Sequence, residues 1–425
     1  MGYIKNISNS LITKIIKIII GFGTSIIVAR ALGAEGKGYI TYILLIGSLL
    51  ANYGHLGILD ATIYFQKRSN YSQQEVFNVN ISFIILIWFF ISIFIISMRL
   101  FRFILLDYSI FMVIGLIFYV IINFFNILGR KFHVGEEKIV DMNKFLLIDK
   151  FFLFFFLLIL WSFKYLSAGY YLLLMISGLF LSSYLLIKNI GFKFRFKLNR
   201  SLLKEEFKYG LLVYFATLFI YLNYRADQFL IMNMISTSAL GVYSIGVTLA
   251  ELVLLIPESV SLALNGKLYN VALDSKHRNL ITISTIKYTI YICIVIATIG
   301  FFLTPLIPVV YGEEFIDAVS VFKILLFGVL FVAIGKTSNA YFYTQGTPER
   351  YLVIVLITFI INLVLNFKLI PILGINGAAW ASTISYIIYG LIHIFYFKIK
   401  EKFPLKEMFL INKSDIKLFK KYVMK

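Results

Sequence analysis

VNISFIILIWFFISIFIISM, residues 79–98, is an apolar run without a single charged side chain. A helix rises about 1.5 Å per residue, so this run reaches about 30 Å, the thickness of a bilayer's hydrocarbon core. In lipid every backbone N–H and C=O must be bonded within the protein, which leaves helices and closed barrels. The run lacks the polar–apolar alternation of a barrel strand. Residues 79–98 are therefore expected to form a transmembrane helix.

Similar runs recur on both sides of it: Leu11–Leu32, Gly38–Phe65, Ile110–Leu128, Phe145–Phe163, Leu166–Ile187, Tyr209–Met234, Gly241–Leu264, Tyr288–Val310, Val321–Tyr343, Tyr351–Ile370 and Ala378–Phe397. With Val79–Met98 they predict an all-α polytopic membrane protein of twelve crossings. Composition agrees: 60% of the 425 residues are hydrophobic and 14% charged, and the mean hydropathy is +0.89. A soluble domain carries about 25% charged residues. So few charges cannot cover a soluble globule, which excludes an ordinary cytosolic enzyme, a disordered chain and a secreted disulfide scaffold. The one cysteine, Cys293, lies inside an apolar run, so no disulfide or cysteine-based metal framework is expected. A net charge of +19 would suit a nucleic-acid binder. Here the charges fall in short loops between apolar runs, and no nucleic-acid partner is expected.

Lys and Arg are concentrated in the even-numbered loops and both tails, while the odd loops are short and acidic, as at Glu313, Glu314 and Asp317. The positive-inside rule then places both termini in the cytoplasm. The basic tail Pro404–Lys425 interleaves Phe409, Leu410, Ile416, Phe419 and Val423 with lysines. It is either a plain positive-inside tail or an amphipathic segment on anionic membrane lipids.

The longest polar stretch, Lys188–Lys208, divides the chain. The expected parts are an N-terminal lobe of helices one to six (1–190), a cytoplasmic linker (191–208), a C-terminal lobe of helices seven to twelve (209–397) and a basic tail (398–425). An even number of crossings gives both lobes the same orientation. Gly38-Tyr39 echoes Gly241-Val242-Tyr243, and Leu128-Gly129-Arg130 echoes Gln345-Gly346-Thr347-Pro348, in matching order.

Ala29-Arg30-Ala31-Leu32-Gly33-Ala34-Glu35-Gly36-Lys37-Gly38 resembles the first-helix signature of the polysaccharide-transporter branch of the multidrug/oligosaccharidyl-lipid/polysaccharide (MOP) exporter superfamily. Arg225-Ala226-Asp227 followed by Gly241-Val242-Tyr243 is similar to that family's seventh-helix segment, and Gln345-Gly346 and Gly374-Ile375-Asn376-Gly377-Ala378-Ala379 to its tenth and twelfth. The resemblance implies two six-helix lobes facing each other in a V. It implies a Wzx-type flippase moving undecaprenyl-pyrophosphate-linked oligosaccharide (O-antigen, hence lipopolysaccharide, or a similar surface polysaccharide) across the cytoplasmic (inner) membrane by alternating access. A polysaccharide polymerase and a chain-length regulator are the implied partners.

Charges inside a membrane are costly and mark function by default. At about 100° per residue, Thr13, Lys14, Lys17, Gly21 and Thr24 share a stripe of helix one, and Tyr214, Thr217, Tyr221, Tyr224, Arg225 and Gln228 one of helix seven, with Asp227 and Asn223 beside it. Ser244, Thr248, Glu251 and Glu258 align on helix eight, and Lys336 lies near the middle of helix ten. Such stripes suit a hydrated cavity. The substrate-binding candidates are Arg225, Lys336, Arg30, Lys17, Lys14, Tyr221 and Tyr224: cations for phosphate oxygens, tyrosines for sugar faces. Each has a plainer reading. Arg30, Lys14 and Lys17 are also placed as interface anchors, and Arg225 with Asp227 as a structural ion pair. Asp227, Glu251, Asp60 and Glu258 are candidates for ion coupling or gating. Glu251 would bind a proton or sodium or balance Arg225 or Lys336, and Asp60 and Glu258 would pair with Lys14 or Lys17 or be solvated. Pro257 is expected to kink helix eight.

The glycine run Gly33–Gly38 does not have P-loop spacing and is expected as the outer turn between helices one and two. There is no zinc-ligand motif, nucleophile elbow or nucleotide fingerprint, and the outer loops are short for a membrane polymerase or ligase. The expectation is a transporter without enzymatic activity or cofactor, with H+ or Na+ coupling open. The alternative is an ion-coupled small-molecule or drug antiporter of the same superfamily, against which the basic embedded residues weigh.

Overall fold

The computed structural model describes residues 2–68, 70–270, 275–344, 348–404, 406 and 409–410. The motif residues Gln345, Gly346 and Thr347 and the tail from 411 onward lie outside them. Among the described residues there is helix and no strand. The chain falls into two compact units, Met1–Leu218 and Phe219–Lys425.

The pattern of burial identifies the solvent. On the third helix Asn78, Asn80 and Ser82 are buried, while Phe89, Phe90, Ile93 and Phe94 are about half exposed. In water that inversion would leave a large apolar band uncovered; in lipid it is the expected arrangement. Ten helical stretches among the described residues are long and apolar enough to cross a membrane. Twelve crossings are compatible with ten stretches: the first, Ile12–Lys67, is 56 residues long and is broken inside, and one further long helix carries too many polar groups to qualify.

In the first unit, α1 (Gly2–Tyr53) is helical apart from Gly33, at φ 66° and ψ −172°. The expected outer turn over Gly33–Gly38 thus shrinks to one residue, whose left-handed φ suits glycine. The expected unbroken second helix is interrupted at Gly54–Gly57 before α2 (Ile58–Arg68). Gly57 has φ 83°, and a Cβ on Gly210 would lie 2.1 Å from the Gly57 carbonyl oxygen. Two glycines therefore let the helix carrying Gly210 dock backbone to backbone on this break.

α3 (Gln73–Leu100), α4 (Ile110–Gly135) and α6 (Ala168–Ile190) start at Ser72, Ser109 and Ser167, each hydroxyl accepting a first-turn N–H, a cap contributing about 1 kcal/mol. α5 (Ile139–Ser162) packs on α1 and α6, with Ile27, Val28, Leu153, Leu157 and Tyr171 between them. The stretch after α6 is not a free linker. The Arg195 N–H donates to Asn78 Oδ1 at 3.0 Å, the Lys197 N–H to Ser82 Oγ at 2.9 Å, and Lys197 Nζ to Glu75 at 2.7 Å. Those bonds supply donors to the buried Asn78 and Ser82 of α3. α7 (Arg200–Met234) begins inside the stretch expected as linker and crosses the boundary between the units.

In the second unit α8 (Thr237–Glu251) runs through a 3₁₀ turn, Leu252–Leu254, into α9 (Leu255–Asn270). Pro257 has no N–H for the carbonyl four residues back. That carbonyl, on Val253, is approached at 3.9 Å by the Cys293 thiol. α10 (Ser275–Phe302) begins before the expected ninth helix and ends before Pro305, so the prolines expected near its end belong to the separate α11 (Leu306–Tyr311). α12 (Ala318–Thr344) is the centre of the unit and packs on α8, α9, α10 and α14 (Ile375–Ile399), which in turn packs on α13 (Pro348–Leu373). Ile286, Ile334, Ile394 and Phe397 fill the core between α10, α12 and α14.

Candidate functional site

α7 in the second unit presents two faces. Asn223 and Asp227, one turn apart, are buried. Asn223 donates to Thr358 Oγ1 at 3.0 Å and accepts from Ser385 at 3.3 Å. Asp227 Oδ2 accepts from Tyr243 at 2.5 Å and Ser382 at 3.0 Å, and its Oδ1 from the Gln228 N–H at 2.7 Å. Asn362 joins the same network through Ser382 at 3.3 Å. These bonds tie α7 to α8, α13 and α14 and satisfy polar groups that would otherwise be costly in a dry interior. Asp227 is thus absorbed into the helix packing. The expected Arg225–Asp227 pair does not form, because all three Asp227 acceptor contacts go to other groups.

Arg225, on the other face, pairs instead with Glu251 at the end of α8, Nη2 to Oε2 3.0 Å. Their side chains remain 28% and 32% exposed. Of the two cations that Glu251 was expected to balance, it takes Arg225, and Lys336 is ion-paired with Glu258 on α9, 18% and 42% exposed. Its ammonium also lies 5.3 Å above the Tyr224 ring, a favourable cation–π position. The 3₁₀ turn sits between Glu251 and Glu258 in sequence and so between the two pairs. Gly335 helps to set the register: a Cβ there would lie 2.0 Å from the Tyr389 ring, so α12 and α14 close at that point. Tyr221 is half-buried, and Tyr224 also contacts Tyr386, with ring centroids 5.8 Å apart. The structure thus brings Arg225, Glu251, Lys336, Glu258 and Tyr224 into one paired, partly open group.

The first unit distributes its candidates. Arg30 is exposed near the Gly33 break, and Lys14 and Lys17 are half-buried on α1. Lys17 borders a cavity among α1, α4, α5 and α6. Asp60 binds Lys131 of α4 at 3.0 Å, not the expected Lys14 or Lys17, and Glu258 goes to Lys336. Each lysine that won is brought in by helix packing from far along the chain.

Glu206 was not a candidate, since it stands among Lys204, Glu205 and Lys208 in a stretch that looks like linker. It is fully buried near the start of α7, and neither carboxylate oxygen has an acceptor or donor partner. Burial pushes its carboxyl up to about 8. Among the described residues no group of three His, Cys, Asp or Glu side chains could hold a metal ion.

The model of a family described as polysaccharide biosynthesis protein matches residues 3–264. No curated protein matches the chain. Among solved structures it is similar to the lipid II flippase MurJ in an inward closed conformation, at 18% identity and TM-score 0.75, over 93% of this chain and 88% of that one. It is also similar to an inward-facing multidrug resistance MATE family transporter of the MOP superfamily, at 14% identity and TM-score 0.69, over 91% and 94%. The family match covers more than half of the sequence, and the likenesses cover nearly all of the helices. The chain belongs to the polysaccharide biosynthesis protein family and has the fold of the MOP superfamily.

Proposed function

We propose that the chain is a flippase for undecaprenyl-pyrophosphate-linked oligosaccharide repeat units of O-antigen or a similar surface polysaccharide, moving them from the cytoplasmic to the outer leaflet by alternating access. The observation that carries the reading is the pair of half-open ion pairs, Arg225–Glu251 and Lys336–Glu258. A lone cation in a membrane helix is expensive, so between substrates each is neutralised by a carboxylate. A diphosphate headgroup offers the same cations stronger, multidentate acceptors. A proton or sodium ion taken up at Glu251 or Glu258 would free its partner for the phosphate oxygens, which couples transport to an ion. Tyr221 and Tyr224 line up beside the cations to take sugar faces, and Arg30 and Lys14 are assigned to guiding the headgroup. The two compact units serve as the two lobes. The basic loops favour cytoplasmic termini in a cytoplasmic membrane, where a polymerase would take the product.

The test uses cells lacking the gene. Wild-type protein should restore sugar repeats at the outer face, and Lys336→Gln, inserted to the same level, should not. Full delivery by Lys336→Gln would overturn the assignment, and drug resistance without sugar delivery would place the chain among antiporters.

A further inference from the structure

The first unit holds a cavity of about 310 Å³ among α1, α4, α5 and α6, bordered by Lys17, Arg130 and Lys150 and by one carboxylate, Asp149. At about 30 Å³ per water it holds some ten waters, enough for a small anion with part of its hydration. Its charges do not cancel. Lys150 lies 3.0 Å from Asp149, which is the one acidic side chain on the wall. Neither Lys17 nor Arg130 forms an ion pair with any described residue, and Arg130 Nε is buried without an acceptor. Two positive charges are therefore left uncompensated inside a helical bundle, an arrangement that ordinarily costs several kcal/mol per ion.

The neighbours hold this wall in place. Asn126 is buried, its amide nitrogen donating to Ser182 at 3.3 Å and Ser183 at 3.2 Å on α6, and Asn123 donates to the Tyr119 carbonyl at 2.9 Å. Gly178 lets α6 close on the Asp149 backbone, where a Cβ would lie 2.9 Å from the Asp149 carbonyl. The cavity is thus a built recess among four helices, with the buried Arg130 Nε donor unspent.

We propose that this recess is a diphosphate-binding site. Two uncompensated cations match the two negative charges of a diphosphate diester. An arginine fork supplies the planar, paired donors that phosphate oxygens take best, and the flanking lysines add point charges that tolerate movement of the headgroup. Arg225 and Lys336 of the second unit are already paired with carboxylates, so the recess of the first unit is where an incoming anion displaces water and not a carboxylate. Asp149 tempers the site, keeping the bound anion releasable. The proposal rests on the flippase reading only for the lipid to which the diphosphate is attached.

The test is binding by the purified full chain in nanodiscs of neutral lipid, with undecaprenyl pyrophosphate, undecaprenyl phosphate and inorganic pyrophosphate as separate probes. Arg130→Gln and Lys17→Gln should each weaken both diphosphate probes about tenfold, the loss of one charge-assisted contact, and Lys144→Gln, an exposed lysine of α5, should not. Asp149→Asn should tighten binding severalfold, and it tests the site even if the arginine variant folds poorly. Binding of both diphosphates, or of the lipid-linked one alone, supports the site and identifies whether the headgroup suffices or the lipid is needed. Wild-type affinity in Arg130→Gln and Lys17→Gln, or equal wild-type affinity for the monophosphate, overturns it. Failure of wild-type protein to restore sugar delivery in cells would sink the flippase reading while leaving this binding result untouched.

Discussion

Neutralising Arg225 and Glu251 one at a time and then together separates what the pair does for the fold from what it does for transport. At 3.0 Å and an effective dielectric of about 20, the gross attraction is about 5 kcal/mol. Roughly a third of each side chain is in contact with solvent, and desolvation takes back much of the rest. Glu251→Gln leaves a partly buried guanidinium without its counter-charge, and Arg225→Gln leaves the carboxylate. Each should cost about 2 kcal/mol, below the 3–5 kcal/mol of a fully buried pair. The double variant removes both charges at once and should lie within about 1 kcal/mol of wild type, giving a coupling of about 3 kcal/mol. The measurements are thermal unfolding of the purified variants and delivery of sugar repeats to the outer face. Stability should recover in the double variant, and delivery should not, because no cation is left for the phosphate. Wild-type delivery by the double variant would show that the pair is packing alone. Singles that melt with wild type would refute the energetic argument.

Three further outcomes follow from the packing and the charges. Gly210→Ala should destabilise by about 1–3 kcal/mol, since its Cβ would lie 2.1 Å from the Gly57 carbonyl; Gly21→Ala, which meets open space, should leave melting unchanged. Asp227→Asn turns an acceptor of two hydroxyls into a mixed group and should cost about 1–3 kcal/mol, a loss that Tyr243→Phe in the same chain should partly relieve. Glu206 supplies the pH dependence. Its carboxyl moves from 4.5 to about 8 on folding, so below about pH 4.5 it is protonated in both states and costs nothing. Between there and about pH 8 the unfolded chain releases a proton that the folded one retains, and stability falls as pH rises. Glu206→Gln cannot ionise and should flatten that slope, seen as a smaller loss of melting temperature between about pH 5 and about pH 9 than in wild type.

Membrane class and helix content were legible because they depend on local hydropathy, and runs such as residues 79–98 carry that signal alone. Breaks were half legible. Pro257 announced its kink through its missing N–H. The interruption at Gly54–Gly57 did not announce itself, because what requires it is Gly210 arriving from another helix. The partners of the charges were least legible. Glu251 is 26 residues from Arg225 and Glu258 is 78 from Lys336, beyond any helical spacing rule, so the sequence offered Arg225–Glu251 only as one of several alternatives and did not offer Lys336–Glu258 at all. Arg130 was visible only as part of an internal echo, and nothing in the sequence joined it to Asp149 and Lys150 of the expected fifth helix. It is the convergence of α1, α4, α5 and α6 that turns them into one wall.

The Cys293 sulfhydryl, sealed against the Val253 carbonyl with 0% exposure, is the chain's single thiol. The native protein is therefore already silent toward water-soluble maleimides and needs no cysteine-free background. A reporter thiol introduced at an exposed loop position, such as Lys164, would be the lone reactive group, and its labelling from one side of intact cells would read out the sidedness of that loop directly.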